Sequence, residues 1–376
     1  MRAVRVLVVD DAVVIRKAVA AVLAAAPDLE VVGTANDGRS ALDRIDELSP
    51  DVVVLDVHMP NMGGLQVLEA LRERTRRPGV IMLSSLTEDG ADVTVRALAL
   101  GAADYVTKPS YGGGLAGASE ELRRTLVPKV QAIGARARGF APAPPAVVRP
   151  SAPAPALGAP RAAPFELVAI GCSAGGPAAL CEVFRRMPGD LPVPVVITQH
   201  MPPVFTRLLA EQISNLSALK PREAVEGAAL RPGEAWIAPG DFHMVLRRDG
   251  DVVRISLNKA PPEHSCRPAV DPLFRSVAEV YGPRALAAVL TGMGQDALLG
   301  ARAVVEAGGR LIAQDEATSV VWGMPGFVVR AGLASAVLPL EQIADEIVMR
   351  VARGRSYEAT RAAKPWAPAP GGSHAR

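Results

Sequence analysis

The 376-residue chain has 41 basic and 39 acidic side chains, a formal net charge of +2, which argues against a nucleic-acid or membrane-surface binder. With 49% hydrophobic and 21% charged residues it can bury cores in two or three domains of roughly 150 residues each. Three cysteines without ligand spacing point to reduced thiols, not a disulfide frame or zinc site.

The N-terminus runs straight into a strand and has no signal-peptide pattern. The longest apolar run there, Ala18 to Ala26, falls far short of the roughly 20 residues of a membrane span, so a cytoplasmic, non-inserted protein is expected. Strands are predicted at Val4–Val9, Leu29–Thr34, Val52–Leu55, Val80–Leu83 and Asp104–Val106, and helices at Val13–Ala25, Arg39–Leu48, Leu65–Arg72, Asp92–Leu100 and Glu120–Gly134. Leu42, Ile45 and Leu48 recur three apart and share a helix face. This β-α alternation argues a doubly wound parallel sheet that carries its ligands at the carboxyl ends of the strands.

Asp10 and Asp11 follow the first strand, Asp56 the third, Ser84 the fourth and Lys108 the fifth. Carboxylates converging on one mouth repel unless a hard cation joins them; Mg²⁺, which keeps waters and phosphate oxygens, suits such a cluster. Lys108 can neutralise a phosphoryl oxygen and Ser84 can hydrogen-bond it.

The segments around Asp10-Asp11, Asp56-Val-His58-Met59-Pro60, Ser84 and Tyr105-Val-Thr-Lys108-Pro109 resemble the signature segments of response-regulator receiver domains, over residues 1–125. The resemblance implies a flavodoxin-like fold and phosphorylation of Asp56 by a histidine kinase. It also implies Mg²⁺ on Asp10, Asp11, Asp56 and the His58 backbone carbonyl, and a switch formed by Ser84, Tyr105 and Lys108. Phosphorylation adds about −1.5 to −2 charges, enough to bias a bistable surface.

Patterning stops near Gly134, and Ala, Pro and Arg dominate to Pro164, with eight prolines between Phe140 and Pro164. An extended Ala/Pro-rich linker is expected over 126–164, its arginines (136, 138, 149 and 161) merely solvated. A disordered tail is expected over 355–376.

Residues 165–354 form the second expected domain. A short apolar run, Phe165 to Ile170, leads into Gly171-Cys172-Ser173-Ala174-Gly175-Gly176-Pro177 and a helix to Met187. The turn fits G-x-S-x-G, which exposes a serine beside backbone amides. Glycine-rich turns of this kind also cradle phosphates, so the serine reading depends on a base. Further strands are predicted at Val193–Thr198, Ala235–Ile237, Ala285–Leu290 and Arg310–Ala313, with a hairpin of His243–Arg247 and Asp251–Leu257 around Gly250. The class is α/β, a mostly parallel sheet with an appended β-hairpin.

Among the histidines, His200 ends a strand and should open on the same sheet edge as Ser173, whereas His243 and His264 read as loop or edge residues. Asp296 follows the glycine turn after Leu290 and is the candidate orienting acid, although an acid at a helix start also favours the helix dipole. Cys172, the stronger intrinsic nucleophile, should point to the opposite side of its strand.

Gly171 to Pro177, Thr198-Gln-His200-Met, Ala238-Pro-Gly240, Leu290 to Asp296, and Gln314 to Ser319 with Gly323-Met-Pro325 resemble the catalytic domain of the chemotaxis protein-glutamate methylesterase family. The resemblance implies hydrolysis of glutamate γ-methyl esters on methyl-accepting chemotaxis receptors, with receptor glutamine deamidation as a second activity, no cofactor for the esterase, and release of inhibition by phosphorylation at Asp56. It implies a Ser173, His200, Asp296 triad and an oxyanion site from the Ala174 and Met293 amides. Two positions depart from the family pattern: Ala174 stands for the usual threonine and Ala297 for the usual glycine. A helix-start position is expected to tolerate the latter. A regulator whose output half only binds would need a basic recognition helix, which is absent; an esterase for another signalling system would differ only in surface shape.

Overall fold

The computed structural model describes residues 2–74, 77–85, 87–109, 114–137 and 164–362, with side chains left aside at 114–116 and 354–362. The first unit is a five-stranded parallel sheet of β1 (Val4–Val9), β2 (Leu29–Ala35), β3 (Val52–Asp56), β4 (Gly79–Ser84) and β5 (Asp104–Thr107). Its spatial order is 2-1-3-4-5, the doubly wound order whose topological switch lies between β1 and β3. All residues of β3 are buried, as expected for a strand with helices on both faces. The helices are α1 (Val13–Ala24), α2 (Gly38–Leu48), α3 (Gly64–Arg72), α4 (Glu88–Ala99) and α5 (Gly114–Thr125). Helix α4 starts a turn earlier than expected because the Thr87 hydroxyl accepts the Gly90 amide and so caps it.

A correction concerns the linker. Residues Val127–Ala137 form a further helix, α6, which buries Val127, Val130 and Ile133 in the core of the first unit. An apolar face at helical spacing overrides the Ala-rich composition that suggested a tether from 126. The expected linker from 138 to 163 lies outside the described residues.

The second unit is a seven-stranded parallel sheet of order β14-β13-β12-β6-β7-β9-β8. Its strands are β6 (Leu167–Cys172), β7 (Val195–Gln199), β8 (Pro221–Glu223), β9 (Ala235–Ile237), β12 (Ala285–Val289), β13 (Arg310–Gln314) and β14 (Ala336–Leu338). The hairpin β10 (His243–Asp249) and β11 (Val252–Asn258) stands apart as a two-stranded sheet. The short strands β8 and β14 carry no run long enough to be read in the sequence. Helices α7 (Gly176–Arg186), α8 (Phe205–Leu216), α9 (Val270–Tyr281), α10 (Leu298–Glu306), α11 (Met324–Arg330) and α12 (Leu340–Ala362) cover the sheet. Helix α12 continues through 355–362, where a disordered tail was expected; residues from 363 lie outside the description. Among the described residues no helix is long and apolar enough to cross a membrane.

The two units touch. Helix α4 packs against α7 and α8, and the Glu88 carboxylate accepts from Arg207. Tyr105 stacks on Phe205 with ring centroids 4.9 Å apart. Arg136, expected to be solvated, instead donates to the Ala317 carbonyl at 2.8 Å, while Val320 and Val321 pack on the core of the first unit.

Candidate active site

Ser173 follows the central strand β6, whose neighbours β12 and β7 run parallel to it. Their carboxyl ends therefore open on one edge, which brings the loops bearing Asp296 and His200 to the serine. Gly175 adopts φ 77 and Gly176 N–H donates to the Ser173 carbonyl at 2.8 Å, closing the turn. Pro177 then starts α7 without sacrificing an amide. The Ser173 amide itself donates to the Thr291 carbonyl at 3.0 Å.

Ser173 Oγ lies 3.1 Å from His200 Nδ1, and His200 Nε2 lies 2.6 Å from Asp296 Oδ2. The imidazole thus turns Nδ1 to the serine and Nε2 to the acid, the reverse of the ring orientation in chymotrypsin-type triads. Asp296 is 1% exposed and accepts the amides of Val270 at 2.6 Å, Asp271 at 2.9 Å and Ala297 at 2.8 Å. The first two open α9, so the carboxylate also sits at a helix N-terminus, where negative charge is favoured. Burial would raise the Asp296 pKa, but His200 and the Val270 and Asp271 amides hold it below the ordinary value. Burial would lower the His200 pKa, yet Asp296 and the Cys266 thiol reverse this, and the imidazole is held above its ordinary value.

The remaining candidates separate clearly. His243 is buried, accepting the Ala269 amide at Nδ1 and facing the Pro261 carbonyl through Nε2. His264 pairs with Asp271 at 3.0 Å. Cys172 is fully buried on β6, and burial holds its thiol well above the ordinary range. The Ala174 and Met293 amides make no hydrogen bond among the described residues. Ala297 has φ 78, so the helix start is not neutral ground for alanine: the left-handed backbone explains the glycine of the family pattern. Its buried methyl offsets part of that strain.

Two residues that lie within the recognised segments but were given no role there knit the loops together. Thr291 Oγ1 donates to the Ala174 carbonyl at 2.8 Å and accepts the Val321 amide at 3.0 Å. Gln199 Nε2 donates to the Ser173 carbonyl at 3.0 Å and to that of His200 at 3.3 Å. Both stand beside a motif residue, and only the fold brings their partners within reach.

At the switch of the first sheet, ligand oxygens of Asp10, Asp11 and Asp56 lie within 4.8 Å of one another. Lys108 Nζ is 2.9 Å from Asp10 Oδ2 and 2.8 Å from Asp56 Oδ2, and no hydrogen-bond donor besides it serves these buried oxygens among the described residues. Burial raises both carboxyl pKa values, with Lys108 offsetting part of the rise. Two buried hard oxygens and an exposed third suit a hard divalent cation. His58 is exposed, and its backbone offsets a small part of the rise at Asp56. Ser84 turns its hydroxyl to the Gly90 carbonyl at 3.1 Å and accepts from Thr94 at 2.6 Å, engaging α4 and not Asp56. Tyr105 is 8% exposed against Phe205.

Residues 168–347 match the family model of CheB methylesterase and residues 6–117 that of the response regulator receiver domain. A protein-glutamate methylesterase/protein-glutamine glutaminase of Nocardioides sp. is 48% identical over 94% of this chain and 97% of its own. A protein of the same name from Trichodesmium erythraeum is 44% identical over 92% and 99%. The crystal structure of the Thermotoga maritima CheB methylesterase catalytic domain is 40% identical, covering 49% of this chain and 98% of its own at a TM-score of 0.49.

Proposed function

This chain belongs to the CheB protein-glutamate methylesterase family, and from that premise we propose that it hydrolyses glutamate γ-methyl esters on methyl-accepting chemotaxis receptors under the control of its phosphorylated receiver domain. Deamidation of receptor glutamines proceeds at the same site, with ammonia leaving in place of methanol. The observation that carries this reading is the continuous chain Ser173 Oγ, His200, Asp296, with contacts of 3.1 Å and 2.6 Å.

Asp296 keeps the imidazole proton on Nε2, which leaves the Nδ1 lone pair directed at Ser173. As Oγ attacks the ester carbonyl, Nδ1 takes its proton and then delivers it to the departing methoxide. Water hydrolyses the acyl-enzyme by the same route, releasing the glutamate carboxylate. The Ala174 and Met293 amides receive the oxyanion; one such donor is worth about 3–4 kcal/mol. Ala174 brings no side-chain hydroxyl, so the backbone supplies this contact alone.

In the receiver, Asp56 accepts the phosphoryl group from a histidine kinase. Asp10, Asp11, Asp56 and the His58 carbonyl would hold Mg²⁺, which would supply charge neutralisation for that transfer, and Lys108 pairs with the phosphoryl oxygens. Ser84 and Tyr105 respond to the new charge. The protein works in the cytoplasm, peripheral to its receptors.

Methanol release from methylated receptor membranes, with and without a small-molecule phosphodonor and Mg²⁺, tests the whole reading. Release should rise with phosphodonor and fall about 10⁶-fold in Ser173→Ala. Retention of most activity in that variant removes Ser173 as nucleophile; no release in either state removes the substrate.

A further inference from the structure

We infer that Gln199 is a positioning residue that fixes the spacing between nucleophile and base through a single side-chain amide. The inference rests on the reading of Ser173 and His200 as that pair. Gln199 is the last residue of β7 and is 2% exposed. A primary amide offers two N–H donors, and here both are spent on the backbone of the two reacting residues: the carbonyl of Ser173 at 3.0 Å and that of His200 at 3.3 Å. The Ser173 carbonyl also accepts the Gly176 amide at 2.8 Å, so the elbow is held from its own turn and from the neighbouring strand. Gln199 Oε1 has no donor among the described residues. The hold of the side chain on the site therefore runs through Nε2, and the two carbonyls fix which way the amide faces.

Gly176 adds an independent observation. A Cβ placed there would come 1.9 Å from Gln199 Oε1 and 3.0 Å from its Cδ. The absence of a side chain at the first position of α7 is thus what leaves room for the amide. An alanine at this position must push aside the free end of Gln199, which is the softest neighbour it meets, the next atom being Cys172 Cβ at 3.1 Å.

Displacing reacting atoms by about an ångström costs roughly a hundredfold in rate. The test measures, for wild type, Gln199→Met, Gln199→Ala, Gly176→Ala and the double variant Gly176→Ala/Gln199→Ala, the rate constant of Ser173 labelling by a fluorescent fluorophosphonate. It also measures methanol release per labelled site. Each single variant should lose about ten- to a hundredfold in both rates, with KM nearly unchanged. The double variant should be no slower than Gln199→Ala, because Gly176→Ala acts by displacing a side chain that is then absent.

A merely structural role would lower the fraction of protein that labels, with the rate per labelled site intact; that result overturns the inference, as do losses that multiply in the double variant. Failure of wild-type Ser173 to label brings down the nucleophile assignment, and this inference with it. Equal labelling rates in wild type and variants overturn this inference alone.

Discussion

The His200 imidazole lies between two opposed demands. Burial disfavours its charged form, and the Asp296 carboxylate at 2.6 Å favours it. The net direction is upward from the ordinary value of about 6.5. The sign follows: the stabilisation from the charged pair is complete below that value and is lost as pH rises through the higher, folded pKa, while the basic form needed to accept the serine proton appears over the same rise. The acid limb of kcat/KM should therefore fall above about pH 6.5. In Asp296→Asn, the acid that opposes burial is lost and only Cys266 still opposes it, so the limb should move to lower pH than in wild type, and kcat should drop about 10⁴-fold. A wild-type limb at or below 6.5, in a pH–rate series with methylated receptors, contradicts this assignment. Ser173, His200 and Asp296 could be named from sequence because each follows an apolar run that reads as a strand. The amides of α9 that hold Asp296 could not be, since they come from a helix whose start carries no signal tied to residue 296.

Strand ends were legible for a simple reason: both faces of these parallel strands are covered, so their apolar runs are uninterrupted, as in β3 and β6. Helix starts were less so. Helix α8 begins after Val204, which has φ 73 and ψ −49, close to the strained γ-turn conformation that a β-branched residue rarely enters. Such strain costs about 1–3 kcal/mol, and a partly buried isopropyl group returns only some of it. Val204→Gly should stabilise the catalytic unit by about 1 kcal/mol, a rise of about 2–4 °C in Tm. Ala297→Gly should be near neutral, since about 1–2 kcal/mol of left-handed strain is balanced by the loss of a buried methyl worth about 0.8 kcal/mol and by glycine's backbone entropy. Differential scanning calorimetry of the two variants checks both, and a destabilised Val204→Gly protein would mean that packing outweighs strain there. The helix expected over Glu120–Gly134 proved to be parts of two, α5 and α6, and alanine-rich composition hid that α6, through Val127, Val130 and Ile133, belongs to the first core and not to the linker.

Across the whole molecule, the receiver meets the catalytic unit through the packing of α4 on α7 and α8 and of Val320 and Val321 on the receiver core. More specific contacts include the Tyr105–Phe205 stack, the Glu88–Arg207 pair and the Arg136 bond to the Ala317 carbonyl. The exposed ion pair contributes little, so of these two the aromatic stack is the stronger restraint, worth about 0.5–1.5 kcal/mol beyond its buried area. Phe205 stands five residues from His200, and the Val320–Val321 segment touches both the receiver core and Thr291; contact between the units therefore reaches the walls of the catalytic cleft. Tyr105→Ala should raise methanol release by unphosphorylated protein about two- to tenfold and narrow the gain from phosphodonor. An unchanged basal rate would show that the stack does not restrain the enzyme. None of these contacts could be read from sequence, because each joins residues of two units whose relative placement no local pattern encodes.

The docking of α4 on α7 and α8 has a thermodynamic corollary. A face that is covered in the restrained form and bare in the released form gives every molecule that binds it a preference for release, and linkage makes that preference an activation. On the proposed control by the receiver, a protein or small molecule that binds the covered face of α4 should switch on the esterase without ever touching the catalytic unit, and receptor turnover would report its arrival.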